Sequence, residues 1–314
     1  MDVDCHLAGL DSDGPTLFAP NSPDFGGTSR PACTGTASRR PVRSPDNHIW
    51  IFLCSQHCSH AFRMAWVAAW EVQAGQSERQ LIYAIGDIHG ENGALKEMLA
   101  KLPVQPSDLV IFLGDAINRG PDPFDCIEQI LAFDRCRKMF IQGNHEEALL
   151  LFLEDGDLAA LSGMNAQTTL DSYARHGYFL SPGAPSSLPP THARLLAQME
   201  SWTLPFYITD TYIFTHAGWD LMLPLTLQSS GTLRWGKVKG DAHPYWAQTV
   251  VRGHTPFPKV MFARTKQYIG VDTGCSMGGL LSAVALPTNE VFTARPASFQ
   301  PDWYARLQGA SYRK

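Results

Sequence analysis

No stretch of this 314-residue chain reaches the roughly 18 consecutive apolar residues that span a bilayer, so a membrane protein is not expected. Cysteine is sparse. Cys5, Cys33, Cys54, Cys58, Cys126, Cys136 and Cys275 are scattered and odd in number, which excludes the paired framework of a small secreted domain. Positive charge is also short: 25 Lys and Arg stand against 30 Asp and Glu, a formal net charge of −5. The basic footprint of a nucleic-acid binder is therefore missing. The first residues carry Asp2 and Asp4 where a secretory leader would be basic. These absences lead to an expected cytoplasmic location with no nucleic-acid and no membrane partner. No internal repeat is evident.

What is present is an ordinary globular mixture, 44% apolar and 18% charged, able to bury a sizeable core. At about 100–200 residues per domain the length allows one large domain or two small ones. Two regimes divide the chain. Residues 1–78 are rich in Pro, Gly, Ser and Thr (Pro20-Asn21-Ser22-Pro23, and Pro31 through Arg43) and keep no period of two or 3.6. Such a segment buries too little apolar surface to offset its ordering entropy and is expected to be a disordered extension. Met64, just ahead of the organised part, is an alternative start. Within the extension Cys54, His57, Cys58 and His60 resemble a ligand group, but no second pair follows at zinc-site spacing. Trp66 and Trp70 bracket a short apolar stretch of their own.

Residues 79–314 read as one catalytic domain. Leu81–Ile85, Leu109–Leu113 and Met139–Ile141 are short apolar runs, each stopped by a glycine and each followed by helical spacing. The helical faces are Leu95, Met98, Leu99 and Leu102, then Phe124, Ile127, Ile130 and Leu131, then Ala148 through Leu153. This alternation predicts an α/β fold with a largely parallel first half. A less regular middle, about Asp155–Pro190, precedes a helix expected over Thr191–Trp202. Strands follow at Tyr207–Thr215, Thr249–Arg252, Val260–Val271, Leu280–Leu286 and Val291–Ala294, with connections short enough for antiparallel hairpins.

Polar residues concentrate where the apolar runs end. Gly86-Asp87-Ile88-His89-Gly90, Gly114-Asp115, Gly143-Asn144-His145-Glu146, Thr215-His216-Ala217-Gly218 and Gly253-His254-Thr255 each follow a separate expected strand. Ligand sites in open α/β sheets form outside the carboxyl ends of the strands, so the clusters converge on one rim. Any one of them alone reads as a turn residue or a satisfied core histidine. Their coincidence is what predicts a metal centre. Carboxylate, imidazole and amide donors without thiolate suit Mn, Fe or Zn in a reactive site better than a structural Cys-type zinc.

These motifs, with Gly114-Asp115-Ala116-Ile117-Asn118-Arg119-Gly120 and Gly253-His254-Thr255-Pro256, resemble the signature of the calcineurin-like metallophosphoesterases of phosphoprotein-phosphatase type. The resemblance runs from about Leu81 to Ala294. Asn144 through Asp155 and Ser172-Tyr173 look most like the bacterial Ser/Thr protein phosphatase branch. It implies a four-layer αββα sandwich of two mixed sheets flanked by helices. It also implies two divalent ions, Mn expected first with Fe or Zn as alternatives. One ion is assigned to Asp87, His89 and a bridging Asp115. The second takes Asp115, Asn144, His216 and His254. His145 is implied as the general acid or a donor to the phosphoryl group, Arg119 as a planar fork for phosphate oxygens, and Arg252 as a second phosphate clamp. Asp272 could support a ligand histidine.

Two positions depart from that pattern. The protein phosphatases usually carry Asp where Asn118 stands; Asn can accept the same hydrogen bond through its carbonyl but brings no charge to favour a protonated His145. In Leu233-Arg234-Trp235-Gly236-Lys237, Lys237 stands where a phosphate-binding Arg is usual, and Arg234 is the nearest Arg. The leading expectation is a phosphatase acting on phosphoserine or phosphothreonine in proteins. The alternative is a symmetrical bis(5'-nucleosyl)-tetraphosphatase, a small-molecule substrate whose anhydride needs less help from an acid. Asp272-Thr273-Gly274-Cys275 with Gly278-Gly279 looks like that branch, whereas Glu146 stands where it usually has Asp. A catalytically weak regulatory pseudo-phosphatase is a remote third reading, opposed by ligand positions that are all filled.

Overall fold

A computed structural model describes residues 80–238, 246–263 and 267–311. The expectations for 1–78, including the Met64 start, the Cys54 to His60 group and the Trp66 and Trp70 stretch, lie outside the described residues.

The first half alternates as its sequence requires. Strands β1 (Ile82–Ile85), β2 (Leu109–Phe112) and β3 (Arg137–Ile141) alternate with helices α1 (Asn92–Lys101), α2 (Pro123–Ala132) and α3 (Asn144–Asp155). Helices α4 (Gln167–Arg175) and α5 (Pro190–Leu196) precede the short strand β4 (Thr203–Leu204). The second half contains β5 (Phe206–Ile208), β6 (Tyr212–Thr215), α6 (Ser230–Trp235), β7 (Thr249–Arg252), β8 (Met261–Ala263), β9 (Tyr268–Gly270), β10 (Leu281–Leu286), β11 (Glu290–Ala294) and α7 (Trp303–Ser311).

Two mixed sheets result, in the orders β11-β10-β1-β2-β3-β4 and β5-β6-β7-β9-β8. Strands β1 to β4 are mutually parallel. Period-two alternation sorts their side chains into layers. Tyr83, Ile85, Val110, Phe112 and Phe140 pack with α1, α2 and α3, through Leu95, Met98, Ile127, Ile130, Leu149 and Phe152. Ala84, Leu109, Ile111 and Ile141 face the other way and meet Phe214, Val251 and Ile269 of the second sheet. Ile213 and Val250 then cover the far side of that sheet with Trp219 and Leu233, the latter from α6. The layered sandwich is therefore a direct consequence of which residues alternate, with the central strands β1, β2, β10, β6 and β7 buried on both faces.

The second half departs from expectation in detail. Tyr207–Thr215 is not one strand but the hairpin β5–β6, because Thr209 Oγ1 accepts the Tyr212 N–H at 2.8 Å and turns the chain. Val260–Val271 likewise divides into the antiparallel pair β8 and β9. Antiparallel pairing is only part of the picture: β7 lies parallel to both β6 and β9. Strand β10 joins the first sheet, antiparallel to β1. The helix expected over Thr191–Trp202 ends at Leu196, and Gln198 takes a left-handed φ of 56° just beyond it. Helix α4 lies within the stretch that reads as irregular. Its buried face is Thr169, Ser172 and Tyr173, largely polar, so no apolar stripe marks it.

Buried Asp108 ties the starts of β1 and β2 together, accepting the Leu81 N–H on Oδ1 at 3.0 Å and the Gln105 N–H on Oδ2 at 2.7 Å. Asp108→Ala leaves both donors without these partners and is expected to lower stability by about 1–3 kcal/mol, measured by urea denaturation. A loss below a few tenths would assign the register to the strands alone.

Candidate metal centre

Five strand ends converge. Asp87 and His89 follow β1, Asp115 follows β2, Asn144 and His145 open α3 after β3, His216 follows β6 and His254 follows β7. The turns that aim them are unusual: His89, Asp115, Asn118, Arg119 and His254 all have positive φ, between 49° and 68°. Non-glycine residues hold that conformation only where the surroundings over-determine it. Here the surroundings are hydrogen bonds. Glu146 Oε2 accepts the N–H groups of Asp115 and Gly143, each at 2.9 Å, and its Oε1 accepts Ala116 N–H at 2.8 Å. Asp87 receives the His254 N–H on both oxygens, at 3.0 and 3.1 Å. Asp115 Oδ1 receives the His145 N–H at 3.1 Å.

The donor atoms form two groups that share one oxygen. His89 Nε2 lies 3.5 Å from Asp115 Oδ2 and 3.9 Å from Asp87 Oδ2. On the other side His216 Nε2 is also 3.5 Å from Asp115 Oδ2, while Asn144 Oδ1 lies 2.9 Å from His216 Nε2 and 3.0 Å from His254 Nδ1. Backbone carbonyls select the tautomers, because His89 Nδ1–H donates to Ile117 O at 2.9 Å and His216 Nδ1–H to Leu113 O at 2.7 Å. Both Nε2 atoms therefore present lone pairs inward. That of His89 is buried with no hydrogen-bond partner among the described residues, and that of His216 meets the Asn144 oxygen lone pair. Lone pairs facing each other in a buried site are repulsive unless a cation lies between them. His89, Asp115 and His145, and separately Asp115, His216 and His254, are grouped tightly enough to hold an ion. The donor set fits cations on either side of a common Asp115 oxygen, and on the His89 side the tight group takes in His145 where the sequence leads one to expect Asp87.

Electrostatics support the same fit. Burial raises the Asp87 and Asp115 carboxyls well above the usual range, with Asp272 and Glu146 respectively as the next contributors. Burial likewise lowers the His89 and His216 imidazoles, and pushes His254 down to about 4. The imidazoles are thus neutral and ready to ligate near neutral pH, whereas the carboxyls keep their protons to higher pH than exposed carboxyls do, and a metal must displace those that remain. Metal uptake at slightly acid pH is expected to release protons, and affinity to rise with pH through the raised carboxyl range. Titration calorimetry in buffers of different ionisation enthalpy measures the release; none at slightly acid pH would contradict this account.

The remaining expected residues divide. His145 Nδ1 lies 2.8 Å from Asn118 Nδ2, and its Nε2 is 3.3 Å from Arg119 Nη2 and 3.8 Å from Asp115 Oδ2. Asn118 does not accept through its carbonyl from His145, contrary to expectation. Instead Oδ1 accepts the Thr169 hydroxyl at 2.5 Å, leaving the amide nitrogen to face the imidazole. Thr169 is not legible in the sequence as a site residue, because its only signal is a position in the helix the sequence conceals. Arg252 is not the open clamp expected of it. It is buried, and Nη1 donates to Thr255 Oγ1 at 3.0 Å and Ala217 O at 3.2 Å, bracing the turns that carry His254 and His216. Asp272, raised to about 6 by burial, accepts the Gly274 N–H at 2.8 Å; among the described residues no hydrogen bond joins it to a ligand imidazole. Lys237 is exposed, and Arg234 is held by Glu147 at 2.6 Å.

The family model of the calcineurin-like phosphoesterases matches residues 81–274. The chain belongs to that family. Three relatives illustrate its breadth. The asymmetrical bis(5'-nucleosyl)-tetraphosphatase PrpE of Geobacillus thermodenitrificans is 28% identical over 249 residues, covering 69% of this chain and 94% of that protein. Serine/threonine-protein phosphatase 1 of Salmonella typhimurium is 29% identical over 215 residues, 64% of this chain and 89% of that protein. A symmetrical bis(5'-nucleosyl)-tetraphosphatase of Janthinobacterium is 38% identical, but over 69 residues, 22% of this chain and 25% of that protein. This calcineurin-like phosphoesterase is accordingly a metal-dependent hydrolase by family, and no helix among its described residues is long and apolar enough to cross a membrane.

The glycines of two motifs are places where no side chain fits. A Cβ on Gly143 would collide with Asp115 Oδ1, and one on Gly253 with Asp87 Oδ1. Gly143→Ala and Gly253→Ala are expected to lower metal affinity at least about tenfold by displacing these carboxylates, read as bound metal after dialysis. Full retention of metal would place the carboxylates outside the centre.

Proposed function

We propose that this protein hydrolyses phosphoric anhydrides, with a nucleoside polyphosphate as the substrate class, by attack of an activated water on phosphorus. The observation that carries the reading is the orientation of Asn118. Thr169 Oγ1 accepts the Asn118 backbone N–H at 2.9 Å and donates its own proton to Oδ1. A flipped amide would leave that buried hydroxyl proton without its acceptor. The Asn118 N–H therefore points at His145 Nδ1, which must accept. The single proton of the neutral ring then sits on Nε2, 3.8 Å from Asp115 Oδ2, and Arg119 Nη2, itself a donor at 3.3 Å from Nε2, is left to bind another acceptor such as a phosphate oxygen. Burial, with Arg119 next, lowers the His145 pKa to about 3. Neutral His145 is a hydrogen-bond donor to a phosphoryl oxygen rather than a strong acid toward an alkoxide.

Two divalent ions held by Asp87, His89, Asp115, Asn144, His216 and His254 would supply Lewis acidity toward phosphoryl oxygens and toward water. Arg119, half-buried at the rim, offers a planar pair of donors for a second phosphate. An anhydride leaves as a stabilised phosphate and needs no proton from His145. A serine alkoxide does. The PrpE relative, named an asymmetrical tetraphosphatase, supports this substrate class over most of its length. A second reading, a Ser/Thr protein phosphatase, draws on the Salmonella relative of similar identity.

The test compares the manganese-loaded full chain on diadenosine tetraphosphate and on a phosphoserine peptide. Faster anhydride cleavage is expected, and faster peptide cleavage would reverse the assignment. Asn118→Asp places a carboxylate beside Nδ1, favours the imidazolium and is expected to raise the peptide rate about tenfold or more. An unchanged rate would remove Asn118 from the argument.

A further inference from the structure

Trp235 is the last residue of α6 and is 49% exposed, beside a metal-ligand position. Its ring centroid lies 6.5 Å from that of His254, with the planes at 75°. An exposed tryptophan is ordinarily unremarked, but this one is fixed. Its Nε1–H donates to Glu147 Oε2 at 2.8 Å, while the other oxygen of the same carboxylate takes Arg234 Nη1 at 2.6 Å. Glu147 in turn lies on α3, two residues after His145. Helix α6 is itself bonded to the turn that carries His216, through Ala217 N–H to Leu233 O at 2.7 Å and Gly218 N–H to Thr232 O at 3.0 Å. Gly236 then closes the helix where a Cβ would meet the Thr232 backbone. The indole is thus held in register with both histidines of one metal group, its polar edge satisfied and half its surface open.

We infer that Trp235 is a stacking platform for the nucleobase of a nucleotide substrate, and that the Glu147 carboxylate is the positioning group that holds it there. This rests on the anhydride reading above and extends it to the part of the substrate that does not react. The 6.5 Å between the indole and a ligand imidazole is on the scale of the ribose that separates a nucleotide's phosphate from its base. A flat, rigid, sequence-tolerant aromatic face is what a base stacks on, and every base offers the matching face. A phosphoserine or phosphothreonine side chain offers no ring to it.

The experiment uses the manganese-loaded full chain. Trp235→Ala is expected to raise KM for diadenosine tetraphosphate about tenfold more than KM for inorganic tripolyphosphate, which has no base. Trp235→Phe keeps a ring and is expected to recover most of that difference, and Glu147→Gln, which keeps an acceptor for the indole, more than Glu147→Ala. Equal shifts on both substrates, or no rescue by Phe, would overturn the proposal in favour of a merely structural tryptophan. A binding measurement separates this from the anhydride reading. Adenosine 5'-monophosphate should bind the parent protein about tenfold more tightly than ribose 5-phosphate, and the advantage should vanish in Trp235→Ala. Equal binding of the two by the parent protein would overturn the platform even if anhydrides are cleaved. A base-dependent advantage in a protein that prefers phosphopeptides would retain the platform and reject the anhydride reading.

Discussion

The Glu146 carboxylate, buried at the start of α3, holds three backbone N–H groups on two neighbouring strand ends: those of Asp115 and Ala116 after β2 and that of Gly143 after β3. This bond set, with the Ile88 and His89 N–H groups on the Asp115 carbonyl, over-determines the left-handed backbone at Asp115. Asp115 is the oxygen donor common to both halves of the candidate centre, so its placement propagates to His89 on one side and His216 on the other. A second carboxylate repeats the device, since Asp87 carries the His254 N–H and joins the first sheet's rim to the second's. The two sheets meet through apolar side chains, but their functional ends are registered by carboxylate-to-amide bonds.

That arrangement concentrates Asp87, Asp115, Glu146 and Asp272 in a buried region, where burial raises every one of their pKa values. Such a cluster is electrostatically incomplete as protein alone, and the inward lone pairs of His89 and His216 add to the same deficit. Divalent cations bound there would complete it and stabilise the site, linking folding, metal uptake and pH. Around this centre Arg252 braces, Arg119 remains at the rim, and the Glu147 clamp on Trp235 defines one wall.

Much of the frame is legible in the order of residues alone. The strands ahead of Gly86, Gly114 and Gly143 can be read because short apolar runs ending in glycine have few alternatives, and the rule that ligands gather at strand carboxyl ends brings their polar residues together. Hairpins are harder. The turn at Thr209 to Thr211 lies within a run of β-favouring residues interrupted only by Asp210, and the Thr209 hydroxyl, bonded back to the chain, fixes it. Helix α4 escapes because its buried face is polar.

Residue identity and order along the chain determined the donor chemistry: which carboxylates, imidazoles and amide stand at strand ends, and hence the metal-dependent phosphoesterase family. Tertiary structure decided how those groups are used. The Asn118 amide is turned by Thr169, 51 residues away, and the Trp235 indole is held by Glu147, 88 residues away. Arg252 became a brace because the carbonyl of Ala217 lies within its reach. Spacing along a chain limits which groups can meet. The direction of a hydrogen bond depends on partners from distant segments, and those exist only once the sheets and helices have packed.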